Sequence, residues 1–253
     1  MAVRDILESL KRGEISADDA ERALKMDYLE NVNDHTVFDH GRKMRKSIPE
    51  VVYARPKTPK MVADVAKKVP KGGHLLISRV SKEHLDAVLA SVTENKVTYH
   101  ENASMISIGE AASKEMNGVI GVITAGTSDI MVAEEAKIMA ETMGCRCITS
   151  YDVGVAGVHR ILEPMKVMLD ENVDAIVVAA GMEGALPSLV ASLASVPVIG
   201  VPTSTGYGYG GNGEAALMSM LQTCSPGLAV VNIDNGIGAG AMAAIISRRR
   251  RDR

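Results

Sequence analysis

Tryptophan is missing from this 253-residue chain, phenylalanine occurs once and tyrosine six times, so few rings are available to stack bases along a single strand of nucleic acid. Charge of one sign is not in excess. A formal net charge of -3 gives no long-range attraction to nucleic acid or anionic lipid, and a nucleic-acid partner is not expected. Long hydrophobic runs are also lacking: none approaches the roughly eighteen residues of a membrane span, and the charged start MAVRDILESLKRGE has no signal-peptide core. No membrane partner is expected, and the expected location is the cytoplasm. Cysteine is scarce, with three residues in all, an odd number that speaks against a disulfide framework. Cys145 and Cys147 alternate about Arg146 in GCRCITS, a strand pattern that puts both sulfurs on one face. Buried small side chains are the favoured reading of that pair over a metal or redox role.

What remains is ordinary for a folded protein, 46% hydrophobic and 23% charged, and long enough for a large core. The texture changes near ASKEMNGVIGV, from polar to rich in Gly, Ala, Val and Met. Two domains are therefore expected, 1–115 and 116–253. In the first, VRDILESLKRG and ADDAERALKMDYL read as helices, Ser16 and Asp19 forming an acidic version of the capping box. TVFD, PEVVYA, HLLISRV and KVTYHE read as strands, with helical periodicity in KTPKMVADVAKKV and SKEHLDAVLASV. This predicts a small α+β or α/β domain. From Gly118 onward, five apolar runs (GVIGVITAG, CRCITSYDV, DAIVVAAG, VPVIGVPTS, GLAVVNI) alternate with helical segments, the last near AGAMAAIISRRR. Near-continuous Val/Ile/Ala runs imply strands buried on both faces, hence a three-layer, doubly wound parallel sheet. The closing SRRRRDR reads as a solvated tail whose charge complements a helix dipole.

Ligands of such sheets bind at the carboxyl ends of the strands, and all five ends here carry candidate residues. TAGTSD offers Gly126, Thr127, Ser128 and Asp129 ahead of a helix, suited to a phosphate and a ribose hydroxyl, although Thr127 or Ser128 capping the helix is an equally good reading. YDVGVAGVHR carries Asp152, His159 and Arg160: a carboxylate, a possible acid or base, and an anion clamp, against the blander reading of a packed histidine. AAGMEGALPSL places Glu183 between Gly181 and Gly184, where a carboxylate has no packing role. VPTSTGYGYGGNGE, with Pro202, Thr203, Ser204, Gly206 and Tyr207, suits a phosphate cradle or a lid but fits neither a P-loop nor a dinucleotide fingerprint. NIDNGIGAG adds Asn232, Asp234 and Asn235 beside further glycines. Together the five ends point to a nucleotide-sized ligand. Cys224, in LQTCSPG, follows a helix that Pro226 and Gly227 must end. A helix C-terminus disfavours a thiolate, so a nucleophilic role there needs a cationic partner, and a buried structural thiol is the competing reading.

With these residues in view, 118–247 resembles the PurE-like domain of aminoimidazole ribonucleotide carboxylases and mutases through TAGTSD, the GVHR context, GMEGALPSL and VPVIGVP. The chain is more closely similar to the LarB family of pyridinium-3,5-biscarboxylic acid mononucleotide synthases, which open the assembly of the nickel-pincer nucleotide cofactor. That likeness is carried by AGTSDIMVAEEA, DVGVAGVHR, AAGMEGALPSLVASL, GVPTSTGYG and NIDNGIGAG, and by FDHGRKMRKSIPEVVYARPKT and LLISRVS in the first domain. The resemblance implies a substrate, nicotinic acid adenine dinucleotide, and carbon dioxide or bicarbonate as the carboxyl source. It implies carboxylation of the pyridinium ring at C5, hydrolysis of the phosphoanhydride with release of AMP, and a homo-octamer. It also assigns Cys224 to a covalent adduct with the ring, Glu183 to removal of the C5 proton with Asp152 or His159 as alternatives, and Mg²⁺ to the diphosphate, with Asp129, Asp152 or Asp234 as possible ligands. Arg42, Arg45 and Arg79 are expected to reach the substrate carboxylate or diphosphate. The aminoimidazole enzymes carry Ser-Ala-His-Arg and Ala-His-Leu-Pro stretches, where this chain has Gly157-Val158-His159-Arg160 and Gly184-Ala185-Leu186-Pro187. The second histidine is absent and Cys224 is added. A purine-pathway carboxylase or mutase is the alternative enzyme, and a non-catalytic nucleotide sensor the alternative from another class.

Overall fold

A computed structural model describes residues 3–24, 29–33, 36–39, 48–110 and 118–251. The chain divides into two compact units, Met1–His100 with Met105–Glu110 and Glu101–Ser104 with Ala111–Arg253. The boundary expected near residue 116 lies outside the described residues, as do Arg42 and Arg45.

The first unit opens with α1 (Val3–Lys11) and α2 (Ala17–Leu24). The Ser16 hydroxyl accepts from the Asp19 amide at 3.1 Å and donates to the Asp19 carboxylate at 2.6 Å, so the acidic cap forms through the side chains of both. Of the helix expected over 17–29, Ala17–Leu24 is helical, whereas Leu29 opens β1 (Leu29–Asn33), which pairs antiparallel with β2 (Thr36–Asp39). Strand pairing overrides helical periodicity there. Next come β3 (Val51–Tyr53), α3 (Pro59–Ala66), β4 (Leu75–Ser78), α4 (Lys82–Leu89), β5 (Val97–His100) and β6 (Met105–Ile108). They build a mixed sheet of order β3-β4-β6-β5, with β3 and β4 parallel and the other pairs antiparallel. β6, missed in the sequence, is its best-buried partner for β4: Met105, Ile106 and Ile108 are fully buried.

The second unit is the doubly wound sheet. Its strands are β7 (Gly118–Thr124), β8 (Cys145–Ser150), β9 (Ala175–Ala180), β10 (Val198–Pro202) and β11 (Leu228–Val230), all parallel in the order β11-β10-β9-β7-β8. Each apolar run feeds two cores. Ile120, Val122, Ala175, Val177 and Ala179 face α5 (Ile130–Thr142) and α9 (Gly236–Arg251), whereas Ile123, Ile176, Val178 and Ala180 face α6 (Leu162–Asp170), α7 (Ala185–Leu193) and α8 (Glu214–Leu221). That period of two with both faces apolar is why the runs carry no polar alternation. Cys145 and Cys147 both join the α5/α9 core, the first buried and the second partly so.

Two sequence readings change. His159 and Arg160 do not sit on an α-helix: Val155–Ile161 is a 3₁₀ segment, kinked at Gly157, and α6 begins at Leu162. The arginine-rich end is helical to Arg251, and Arg250 donates to Asp174, a carboxylate only 3% exposed that also accepts from Ser247 and the Val119 amide. One arginine of the presumed solvated tail therefore anchors α9 to the start of the sheet.

Candidate functional site

Strand order reverses between β7 and β9, since the chain steps from β7 to one neighbour and returns to the other. The crevice at this switch point, at the carboxyl ends, is where a doubly wound sheet binds ligands. Asp129 organises it. One carboxylate oxygen accepts from the Gly126 amide at 2.9 Å, and the other from the hydroxyls of Thr203 at 2.5 Å and Thr205 at 2.9 Å. Asp129 and Thr203 are buried. Gly181, at the end of β9, leaves the room for this knot, because a Cβ there would lie 2.6 Å from Thr205 Oγ1 and 2.9 Å from Thr203 Oγ1. The ends of β7, β9 and β10 are thus drawn to one point, with Gly126, Asp129, Gly181 and Thr203 in it. Thr205 is the member that sequence reasoning missed; its signal was a second threonine two places beyond Thr203. Thr127 and Ser128 are exposed in the 3₁₀ turn before α5, and Asp129 rather than either hydroxyl residue occupies the cap position.

The other candidates surround the knot. Asp152, in a left-handed conformation (φ 58°) just past β8, is positioned by Thr124, whose buried hydroxyl accepts the Asp152 amide at 3.0 Å. Arg160 donates to the Asp152 carbonyl at 2.7 Å and pairs with its carboxylate at 3.2 Å, so the expected clamp and the expected carboxylate hold each other at the surface. His159 is exposed beside them. Glu183 is exposed in the turn between β9 and α7. That turn demands glycine at 184, where φ is 63° and a Cβ would meet the Ala216 carbonyl at 2.7 Å. Asp234 accepts from the Ser204 amide at 2.9 Å and hydroxyl at 2.6 Å, and its own amide donates to the Pro202 carbonyl at 2.8 Å, which joins the fourth and fifth strand ends. Asn235 caps α9 by accepting the Gly238 amide at 2.9 Å. Gly206 packs against the Met182 backbone, and Tyr207 stands 78% exposed in the loop that follows. Arg79 belongs to the first unit, in a left-handed bend after β4.

Cys224 is exposed, which removes the buried-thiol reading. It lies in the turn between α8 and β11, at the amino-terminal edge of the sheet. The other cysteines are poor nucleophiles by comparison: Cys145 is buried, and burial pushes the Cys147 thiol far above its ordinary range. Among the described residues no three His, Cys, Asp or Glu side chains gather to hold a metal ion. Asp129, Asp152 and Asp234, the expected Mg²⁺ ligands, each accept from protein donors: Asp129 from Thr203, Asp152 from Arg160 and Asp234 from Ser204. No helix of the described residues is long and apolar enough to cross a membrane.

Residues 119–252 match the AIR carboxylase family profile, more than half of the chain. The chain belongs to the AIR carboxylase family. The AIR carboxylase match spans the whole doubly wound sheet, and residues 29–110 match a second profile, the LarB/PurE-like N-terminal domain. An uncharacterized protein of Methanocaldococcus jannaschii is 40% identical over 97% of both chains. N5-carboxyaminoimidazole ribonucleotide mutases of Thermotoga maritima and of the same Methanocaldococcus are 33% and 32% identical, over 50% and 51% of this chain and 73% and 76% of their own lengths. As an AIR carboxylase relative, the protein carries a carboxylase- or mutase-type nucleotide fold with an additional N-terminal domain.

Proposed function

We propose that this protein carboxylates the pyridinium ring of nicotinic acid adenine dinucleotide at C5 and hydrolyses the phosphoanhydride, yielding pyridinium-3,5-biscarboxylic acid mononucleotide and AMP. The observation that carries this reading is the joining of the two family matches in one chain, a LarB/PurE-like N-terminal domain over 29–110 ahead of the AIR carboxylase fold. Two residues support it further: Cys224 supplies an exposed thiol, and Ala185 stands where the resemblance places a histidine in the aminoimidazole enzymes.

A pyridinium carbon is electron-poor and does not attack carbon dioxide. Addition of the Cys224 thiolate elsewhere on the ring forms a C–S bond and neutralises the ring nitrogen, leaving a dihydropyridine in which C5 is an enamine carbon. C5 then attacks carbon dioxide. Glu183 takes the C5 proton, and the electron pair left behind expels sulfur and restores aromaticity. The fixed positive charge of the pyridinium favours the thiolate on binding, which supplies the cationic partner that the helix C-terminus does not. The hydroxyls of Thr127 and Ser128 and the glycine-rich loop after β10 are proposed to hold the phosphates. Mg²⁺ is proposed to arrive with the diphosphate and to be held by one or two of Asp129, Asp152 and Asp234, directly or through water. We propose a homo-octamer as the assembly.

Incubation with the dinucleotide, Mg²⁺ and isotopically labelled bicarbonate, read by mass spectrometry, is expected to give AMP and a labelled dicarboxylated mononucleotide, and Cys224→Ser is expected to abolish the label. AMP without label would make the protein a hydrolase. The second reading, a mutase acting on N5-carboxyaminoimidazole ribonucleotide, is favoured by the names of the relatives at 33% and 32% identity. Turnover of that nucleotide, unaffected by Cys224→Ser, would establish it instead.

A further inference from the structure

Where glycine follows asparagine, the next backbone nitrogen can reach the side-chain amide with no Cβ in the way and with a freely turning main chain. Two such pairs lie wholly within the described residues: Asn212–Gly213 ahead of α8, and Asn235–Gly236 at the start of α9. They are held very differently. Asn235 caps its helix, its carboxamide oxygen accepting the Gly238 amide at 2.9 Å, and a Cβ on Gly238 would fall 2.4 Å from its side-chain nitrogen. Its main chain is tied as well, the amide donating to the Asn232 carbonyl and the carbonyl accepting from the Ala239 amide, each at 3.1 Å. Asn212 has none of these ties. Its side chain is exposed, and among the described residues no group hydrogen-bonds to its carboxamide. It stands in the left-handed region at φ 58°, and Gly213 follows at φ 84°. Gly213 is the cap residue of α8 and has no side-chain hydrogen bond, so its amide takes no part in the helical ladder.

We propose that Asn212 is a site of spontaneous modification, where asparagine turns into aspartate and isoaspartate as the protein ages. The Gly213 nitrogen attacks Asn212 Cγ and a C–N bond forms. The proton of that nitrogen passes to base, and the side-chain nitrogen leaves as ammonia. Water then opens the resulting cyclic imide. Cleavage between Cγ and the nitrogen gives aspartate with the chain unchanged, whereas cleavage at the main-chain carbonyl gives isoaspartate, whose chain runs through Cγ and is one atom longer. One water is consumed and one ammonia released, with no oxidant or cofactor. The two products act differently on the fold. Aspartate sets a carboxylate just ahead of α8, where the helix dipole favours negative charge. Isoaspartate lengthens the chain where room is short, since even a Cβ on Gly213 would meet Ile233 Cγ2 at 2.8 Å and the Thr203 carbonyl at 2.9 Å. The isoaspartyl form therefore lifts the start of α8 away from Thr203. None of this depends on the proposed carboxylation.

The test is to age the folded, full-length protein at mildly alkaline pH in oxygen-labelled water and then cleave it after glutamate. Cleavage after Glu183 and Glu214 isolates residues 184–214, whose only side-chain amide is Asn212. That peptide is expected to gain the mass change from amide to acid with labelled oxygen, and part of it is expected to accept a methyl group from an isoaspartyl methyltransferase. Conversion at Asn235 is expected to be about tenfold slower, because its bond to the Gly238 amide must break first. Ageing in denaturant is expected to bring the two rates together. No conversion of 184–214 in the folded chain, or equal rates at the two sites, would overturn the proposal. So would a difference that persists in denaturant, because the neighbouring sequence rather than the fold would then set it.

Discussion

At position 181 a single hydrogen in place of a methyl group decides whether three strand ends meet. Gly181→Ala drives a Cβ onto the Thr203 and Thr205 hydroxyls and strips Asp129 of partners, leaving a buried carboxylate short of donors. The expected cost is about 1–3 kcal/mol, read as a lower denaturant midpoint with unchanged slope. The three thiols make a second residue-scale prediction. Iodoacetamide is expected to modify Cys224 in the folded protein while Cys145 and Cys147 react only after unfolding, checked by peptide mapping; equal labelling of all three would contradict the burial described. Much of this was legible, because Asp129, Thr203, Gly181 and Asp234 belong to strand ends that apolar periodicity locates well. What the sequence could not give is which strand ends share a hydrogen bond. Asp129 and Thr205 are 76 positions apart, and the Asp152–Arg160 pairing turns two separate candidates into one ion pair.

Among the elements, α9 shows how a composition signal can be misassigned. The glycines of NIDNGIGAG read as a ligand loop, but Gly236, Gly238 and Gly240 are helical. A Cβ at Gly236 would strike the Val132 carbonyl and one at Gly240 the Ala136 carbonyl, both on α5. These two glycines let the helix backbones touch, and only Asn232–Asn235 remains as strand-end loop. Gly240→Ala gains about 1 kcal/mol in helix propensity but forces apart two packed helices at about 1–3 kcal/mol. A net fall in melting temperature is expected, and a rise would show that α5 yields easily. Strand existence was readable because buried parallel strands are apolar throughout. Strand order was not, since a run buried on both faces looks alike at the centre or the edge. β6 was missed because four residues carry too little alternation, and α2 was overextended because Leu29 suits a helix stripe as well as a hairpin.

For the molecule as a whole, two features frame the candidate residues: the reversal of strand order between β7 and β9, which opens the crevice, and the placement of Cys224 in the turn before β11, at the far edge of that sheet. The first is common to doubly wound sheets, but which strands flank it could not be read from the alternating pattern. The second depends on α8 running antiparallel to the strands, so that the loop before it and the turn after it face opposite ways. Asp174, which holds the Val119 amide at the head of β7, is itself held by Ser247 and Arg250 near the end of α9. The first strand of the sheet is therefore fastened by residues made late, and a chain still being synthesised carries an open latch until Arg250 has emerged.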